Sequence, residues 1–156
     1  MRCLFLIGLA VASPACARIT PTDAAVSAFI ARQERAWNSG DMTAYFAGYA
    51  PDATFTDQAY VGDKPPVAYG TSTLTQARKQ ARVALARSKA SETVQIQRIM
   101  TNPDGRTVVV IARVASSLKN ATRTRRLCAV RRQTLVSLHG RVISTGRTDT
   151  YYPCPR

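Results

Sequence analysis

The side chains able to do chemistry fall into three groups. Gln33 interrupts an apolar helical stripe made of Val26, Phe29, Ile30 and Trp37. An unpaired buried amide is costly, so Gln33 must find a partner or line a cavity. Trp37, Tyr45, Phe46 and Tyr49 recur at helical spacing. They form either a wall on which a ligand stacks or plain core. Arg123, Arg125, Arg126, Arg131, Arg132, Arg141 and Arg147 crowd the C-terminal part. Strand alternation puts Arg126 and Arg132 on one face and Arg125 and Arg131 on the other. Guanidinium forks hold carboxylates and phosphates. A pocket on such a face favours an anionic ligand, with Arg132 the candidate contact; an outward face is a docking patch.

Other chemistries lack their residues. His139 is the one histidine and sits at a turn signal, so no Ser–His or Cys–His pair is available. There is no G-x-G-x-x-G and no P-loop. Cys128 and Cys154, far apart in the chain, and one histidine do not make a zinc spacing. No metal and no cofactor is expected.

The chain has a net charge of +13 at pH 7. Such a charge attracts anionic surfaces and ligands, or is simply a solvated basic surface. Nucleic acid is not the expected partner, because no recognition motif accompanies the charge. Residues 1–17 read as a signal peptide: Arg2, then the apolar run Leu4 to Ala12, then Ala15-Cys16-Ala17 as a cleavage site. Lipidation of Cys16 is the alternative, and the residues before it fit that signal poorly. The expected mature protein is one domain, 18–156, exported to the periplasm or secreted, with no later segment apolar enough to span a membrane. Cys128 and Cys154 remain and, in an oxidising compartment, are expected to pair. A two-residue turn at His139-Gly140 places Cys128 opposite Tyr151. The pair therefore needs a bulge, for which Gly146 is suited, or a bend at Pro153.

Positioning these groups requires the following elements. Thr20-Pro21-Thr22-Asp23 predicts a helix start with Thr20 as cap. Gly40 ends that helix, and Asp41 caps a second with the face Met42, Tyr45, Phe46 and Tyr49, stopped by Pro51. Thr54 to Ala59 is a short strand carrying Asp57. Val61 to Tyr69 reads as a loop, and Thr71 or Ser72 opens a third helix. Glu92–Met100, Thr107–Leu118, Thr122–Leu138 and Arg141–Tyr152 read as strands separated by turn signals, the last at His139-Gly140. The order helix, helix, strand, helix and four antiparallel strands is an α+β plan, a curved antiparallel sheet wrapped around N-terminal helices.

The segment from Val26 to Asp57, with Trp37-Asn38-Ser39-Gly40-Asp41 and Pro51-Asp52-Ala53, resembles the opening of the nuclear transport factor 2-like superfamily. That superfamily includes SnoaL-like proteins and ketosteroid isomerase, and the element order matches its cone. The resemblance implies a central pocket and puts Asp57 at the position of the isomerase's proton-transferring base. It also puts Gln33 where that enzyme has an oxyanion-holding Tyr, and Arg132 near the position of its protonated Asp. The base is retained and the oxyanion pair is not, so any turnover is isomerase- or cyclase-like acid/base chemistry other than steroid isomerisation.

The functional expectation is an exported protein that binds a small, partly apolar molecule, anionic if Arg132 faces the pocket. Gln33, Asp57, the aromatic residues and Arg132 would converge on one pocket. The alternative is a non-enzymatic envelope interaction module that uses the sheet face or the Arg-rich hairpin. The sheet also offers a surface for a homodimer.

Overall fold

A computed structural model describes residues 20–155. The expected signal peptide and its cleavage site lie outside the described residues. Helix α1 spans Asp23–Ser39 and α2 spans Met42–Phe46; strand β1 runs Tyr49–Ala59 and β2 runs Val67–Thr73. Helix α3 spans Leu74–Leu85, and β3 (Lys89–Thr101), β4 (Thr107–Lys119), β5 (Thr124–Leu138) and β6 (Arg141–Tyr152) complete the chain. No helix among these residues is long and apolar enough to cross a membrane.

The helix ends follow local chemistry. Thr22, not Thr20, caps α1: its hydroxyl accepts from the Ala25 N–H, and Pro21 is buried just outside the helix. Gly40 closes α1 in the left-handed region at φ 74°, a conformation that glycine adopts without steric cost. Asp41 caps α2 through the Ala44 N–H. That helix is short, and Tyr49 belongs to β1 rather than to the helical face. Thr73 and Gln76 form a reciprocal capping box at α3.

The six strands form one sheet in the order β2-β1-β6-β5-β4-β3. All neighbours are antiparallel except β1 and β6, which are parallel. The expected loop before α3 is in part the edge strand β2, whose residues are mostly exposed. His139 and Gly140 both have positive φ, the two-residue turn that matches strand twist. Irregularities at Ile96/Arg98, Thr134/Leu135 and Asp57/Gln58 bend the sheet. The bulge on β6 falls at Thr145, beside Gly146. A Cβ on Gly146 would lie 2.7 Å from the Thr54 carbonyl oxygen, so glycine is required for the close approach of β1. The bulge brings Tyr152 opposite Cys128, and Pro153 carries the chain round to a Cys128–Cys154 disulfide.

The concave face of the sheet meets the helices. One core cluster joins Val26, Phe29 and Ile30 of α1 to Val108, Val110 and Leu135. A second gathers Tyr45, Phe46, Tyr49, Phe55 and Leu74.

Candidate functional site

The interior of the cone is polar in an ordered way. Arg131 is 5% exposed and points from β5 into the concavity. Its Nη1 and Nη2 donate to the two Glu92 oxygens at 2.9 and 3.1 Å. Its Nε and Nη2 donate to the two Asp149 oxygens at 2.8 and 3.1 Å. Sheet register explains one half of the meeting, since Asp149 is the cross-strand partner of Arg131. Glu92 lies two strands away on β3, opposite Ser116, and is reached diagonally by the long arginine side chain. Ser116 also donates to Glu92. Arg147 lies 3.4 Å from Asp149, and its Nη1 donates to the Tyr45 hydroxyl. Two cations and two carboxylates thus close on one another. Burial alone would raise the Asp149 pKa; Arg131 and Arg147 outweigh it and hold the carboxyl below its ordinary range.

From Tyr45 the network continues inward. The Tyr45 and Tyr49 hydroxyls lie 3.4 Å apart. Tyr49 donates to Gln33 Oε1, which also accepts from Gln133 at 3.0 Å. The Gln33 amide nitrogen donates to the Tyr45 carbonyl. Gln33 is therefore a structural hub between α1, α2 and β5.

A cavity of about 130 Å³ remains beside the ionic cluster. Trp37, Val114, Leu118, Leu127 and Ala129 give it apolar walls, and Arg131, Asp149 and Tyr151 give it a polar side. Asn38, one residue beyond Trp37, fixes the end of α1 to β3 by two hydrogen bonds to the Glu92 backbone, at 2.9 and 2.6 Å. Leu127 and Tyr151 also border an open groove that contains Asp57, Tyr69, Arg125 and Arg126. Asp57 pairs with Asp149 across the parallel β1–β6 ladder and accepts a hydrogen bond from the Tyr151 hydroxyl at 3.3 Å. Partial burial raises its pKa and the Asp149 charge raises it further; Arg147, the Tyr151 hydrogen bond and Arg131 oppose the rise in part. Burial likewise pushes the Tyr151 phenol up, with Asp149 and Asp57 adding to it.

The expected convergence of Gln33, Asp57, Arg132 and the aromatic residues on one pocket is not what the structure contains. Asp57 lines the groove beside the cavity, and Gln33 is deep in the core among hydrogen-bond partners. Tyr45, Phe46 and Tyr49 are buried and pack ring against ring as core; of the four aromatic residues only Trp37 borders the cavity. Arg132 is exposed on the outer face, because the helices cover the face that carries Arg131. Sequence reasoning missed Glu92, Arg131, Gln133 and Asp149. The available signal was parity with the turn register: Arg131 shares a face with Arg125, and Asp149 lies at the facing position on β6. Glu92, two strands away on β3, gave no such signal. Among the described residues no group of three or more His, Cys, Asp or Glu is placed to hold a metal ion.

No family model matches the chain, and no curated protein matches it in sequence. Solved structures match its fold. An NTF-2-like protein of unknown function from Shewanella oneidensis MR-1 is 18% identical, with 81% of this chain and 97% of that one covered and a TM-score of 0.58. A ketosteroid isomerase-like protein from Erwinia carotovora atroseptica SCRI1043 is 12% identical, with 84% and 96% covered and a TM-score of 0.64. The beta subunit of benzoate 1,2-dioxygenase from Burkholderia mallei ATCC 23344 is 13% identical, with 85% and 92% covered and a TM-score of 0.66. Element order, sheet topology and these likenesses agree: the chain has the nuclear transport factor 2-like cone fold.

Proposed function

We propose that the protein binds a small, partly apolar molecule in the cavity beside Trp37, with Asp57 and Tyr151 at its entrance. The observation that carries this reading is the cavity itself: apolar walls, a few converging polar groups, and a carboxyl of raised pKa at the mouth. That combination is the usual form of a small-molecule site. The Arg131 cluster is saturated with internal partners, so its role is to hold the cavity's polar side rigid. Asp57 is the group free to exchange a proton with a bound molecule, and its raised pKa suits acid/base work. Likeness in fold to a ketosteroid isomerase-like protein accords with this chemistry but does not specify it. We also propose export; the Cys128–Cys154 disulfide supports an oxidising compartment.

A thermal-shift screen of small oxygenated aromatic and aliphatic compounds tests the reading. Compounds that raise the Tm of the wild type are expected to lose their effect in Ala129→Leu, which fills the cavity, and to be weakened in Asp57→Asn. A screen without active compounds, or one whose active compounds act equally on both variants, contradicts it.

One observation favours a second reading, an interaction module. Arg132 and Val130 are exposed on the outer face of β5. The likeness to a dioxygenase beta subunit fits a fold that serves in assemblies. Sedimentation of the purified chain with and without Arg132→Glu separates a self-associating sheet face from a monomer.

A further inference from the structure

The cavity and the groove outside it differ in chemistry, and the difference orients a ligand. The cavity interior offers Trp37, Val114, Leu118, Leu127 and Ala129, while Arg131 and Arg147 beside it are already neutralised by Glu92 and Asp149. No cation in the cavity is left for an anion. The mouth is different. Arg125 lies two residues before Leu127 on the concave face of β5 and stands opposite Leu118 on β4, so it sits directly outside the two leucines that wall the cavity. Among the described residues Arg125 makes no salt bridge. It borders the groove together with Arg126, which lies on the other parity of β5, and with Tyr69 and Tyr151, whose rings are 6.3 Å apart. The groove and the cavity share Leu127 and Tyr151, so the two adjoin.

We infer that the ligand is an amphipathic carboxylate: its apolar end enters the cavity beside Trp37 and its anionic group stays at the mouth on the Arg125 guanidinium. The inference rests on the proposed cavity reading and adds the ligand's class and direction. A cavity of this size accommodates about one phenyl ring. A fork-shaped guanidinium at the rim matches a carboxylate. Asp57 and Tyr151 then face the middle of the ligand, next to the carbons nearest the carboxylate.

Trp37 is the only tryptophan, so its fluorescence reports occupancy of the cavity. The experiment titrates phenylacetate, phenylpropionate and phenylbutyrate, and the alcohols of matching length, into the full protein. At least one acid is expected to quench Trp37 with an affinity about tenfold above its alcohol, the scale of one charge-assisted hydrogen bond. Arg125→Gln is expected to abolish that preference and leave the alcohol's affinity unchanged, while Arg132→Gln, on the outer face, changes neither. Equal affinity for acids and alcohols in the wild type overturns the inference and leaves the cavity reading standing. So does a preference that survives Arg125→Gln or falls equally in Arg132→Gln, which is an effect of bulk charge. Absence of quenching by both series overturns the inference and the cavity reading together.

Discussion

Asp57 and Asp149 are neighbours across the β1–β6 ladder, yet their environments push them in opposite directions. A carboxyl whose pKa is raised in the fold contributes stability that is present in full below its ordinary pKa and is lost as pH rises through the raised value. Asp57→Asn is therefore expected to raise Tm at pH 7, with the gain vanishing near about pH 3. Asp149 has the opposite sign: its contribution is present above the ordinary carboxylate pKa and is lost as pH falls through the lowered value. Asp149→Asn leaves buried Arg131 short of a partner and is expected to cost about 3–5 kcal/mol at neutral pH. Urea titrations of both variants across this pH range check the signs. Gln33→Leu removes the acceptor that the Gln133 amide and the Tyr49 hydroxyl share. It is expected to lose about 1–3 kcal/mol in the same assay, where a gain in stability would remove Gln33 from its structural role.

At the scale of elements, the β5–β6 hairpin sets both the mouth and the ionic cluster. Its far end is closed by the disulfide, whose loop spans a sequence separation of 26. Reduction, or Cys154→Ser, is expected to destabilise by about 3 kcal/mol, read as a lower urea midpoint. Much of this hairpin was legible: the His139-Gly140 turn, the extents of β5 and β6, and the need for a bulge near Gly146. The facing of the arginines was not. Alternation separates Arg131 from Arg132 but does not say which face the helices will cover, and that depends on packing between distant elements. Strand β2 was illegible for a different reason. An exposed edge strand buries no alternate side chains, so it carries no apolar period. The aromatic side chains were legible as a set with core and ligand wall both open, since helical spacing looks the same for the two.

For the molecule as a whole, the polar interior is the organising feature. A line of hydrogen bonds and ion pairs runs from Gln33 through Tyr49, Tyr45, Arg147 and Asp149 to Arg131 and Glu92, tying α1 to four strands. Buried charge networks of this kind hold their geometry because each member costs dearly when unpaired. The fold therefore pairs a firmly bonded interior with a small cavity beside it, and a basic exterior that draws anions at low ionic strength. Binding of an acid at the mouth is accordingly expected to weaken as salt rises, which fluorescence titration at two ionic strengths measures. The claim that this cavity is a ligand site is tested most directly by a crystal structure of the protein soaked with phenylpropionate. The account predicts density for the ring between Trp37, Leu118, Leu127 and Ala129, with the carboxylate on Arg125. A cavity filled by side chains, or a ligand ordered elsewhere while this cavity is empty, would contradict it.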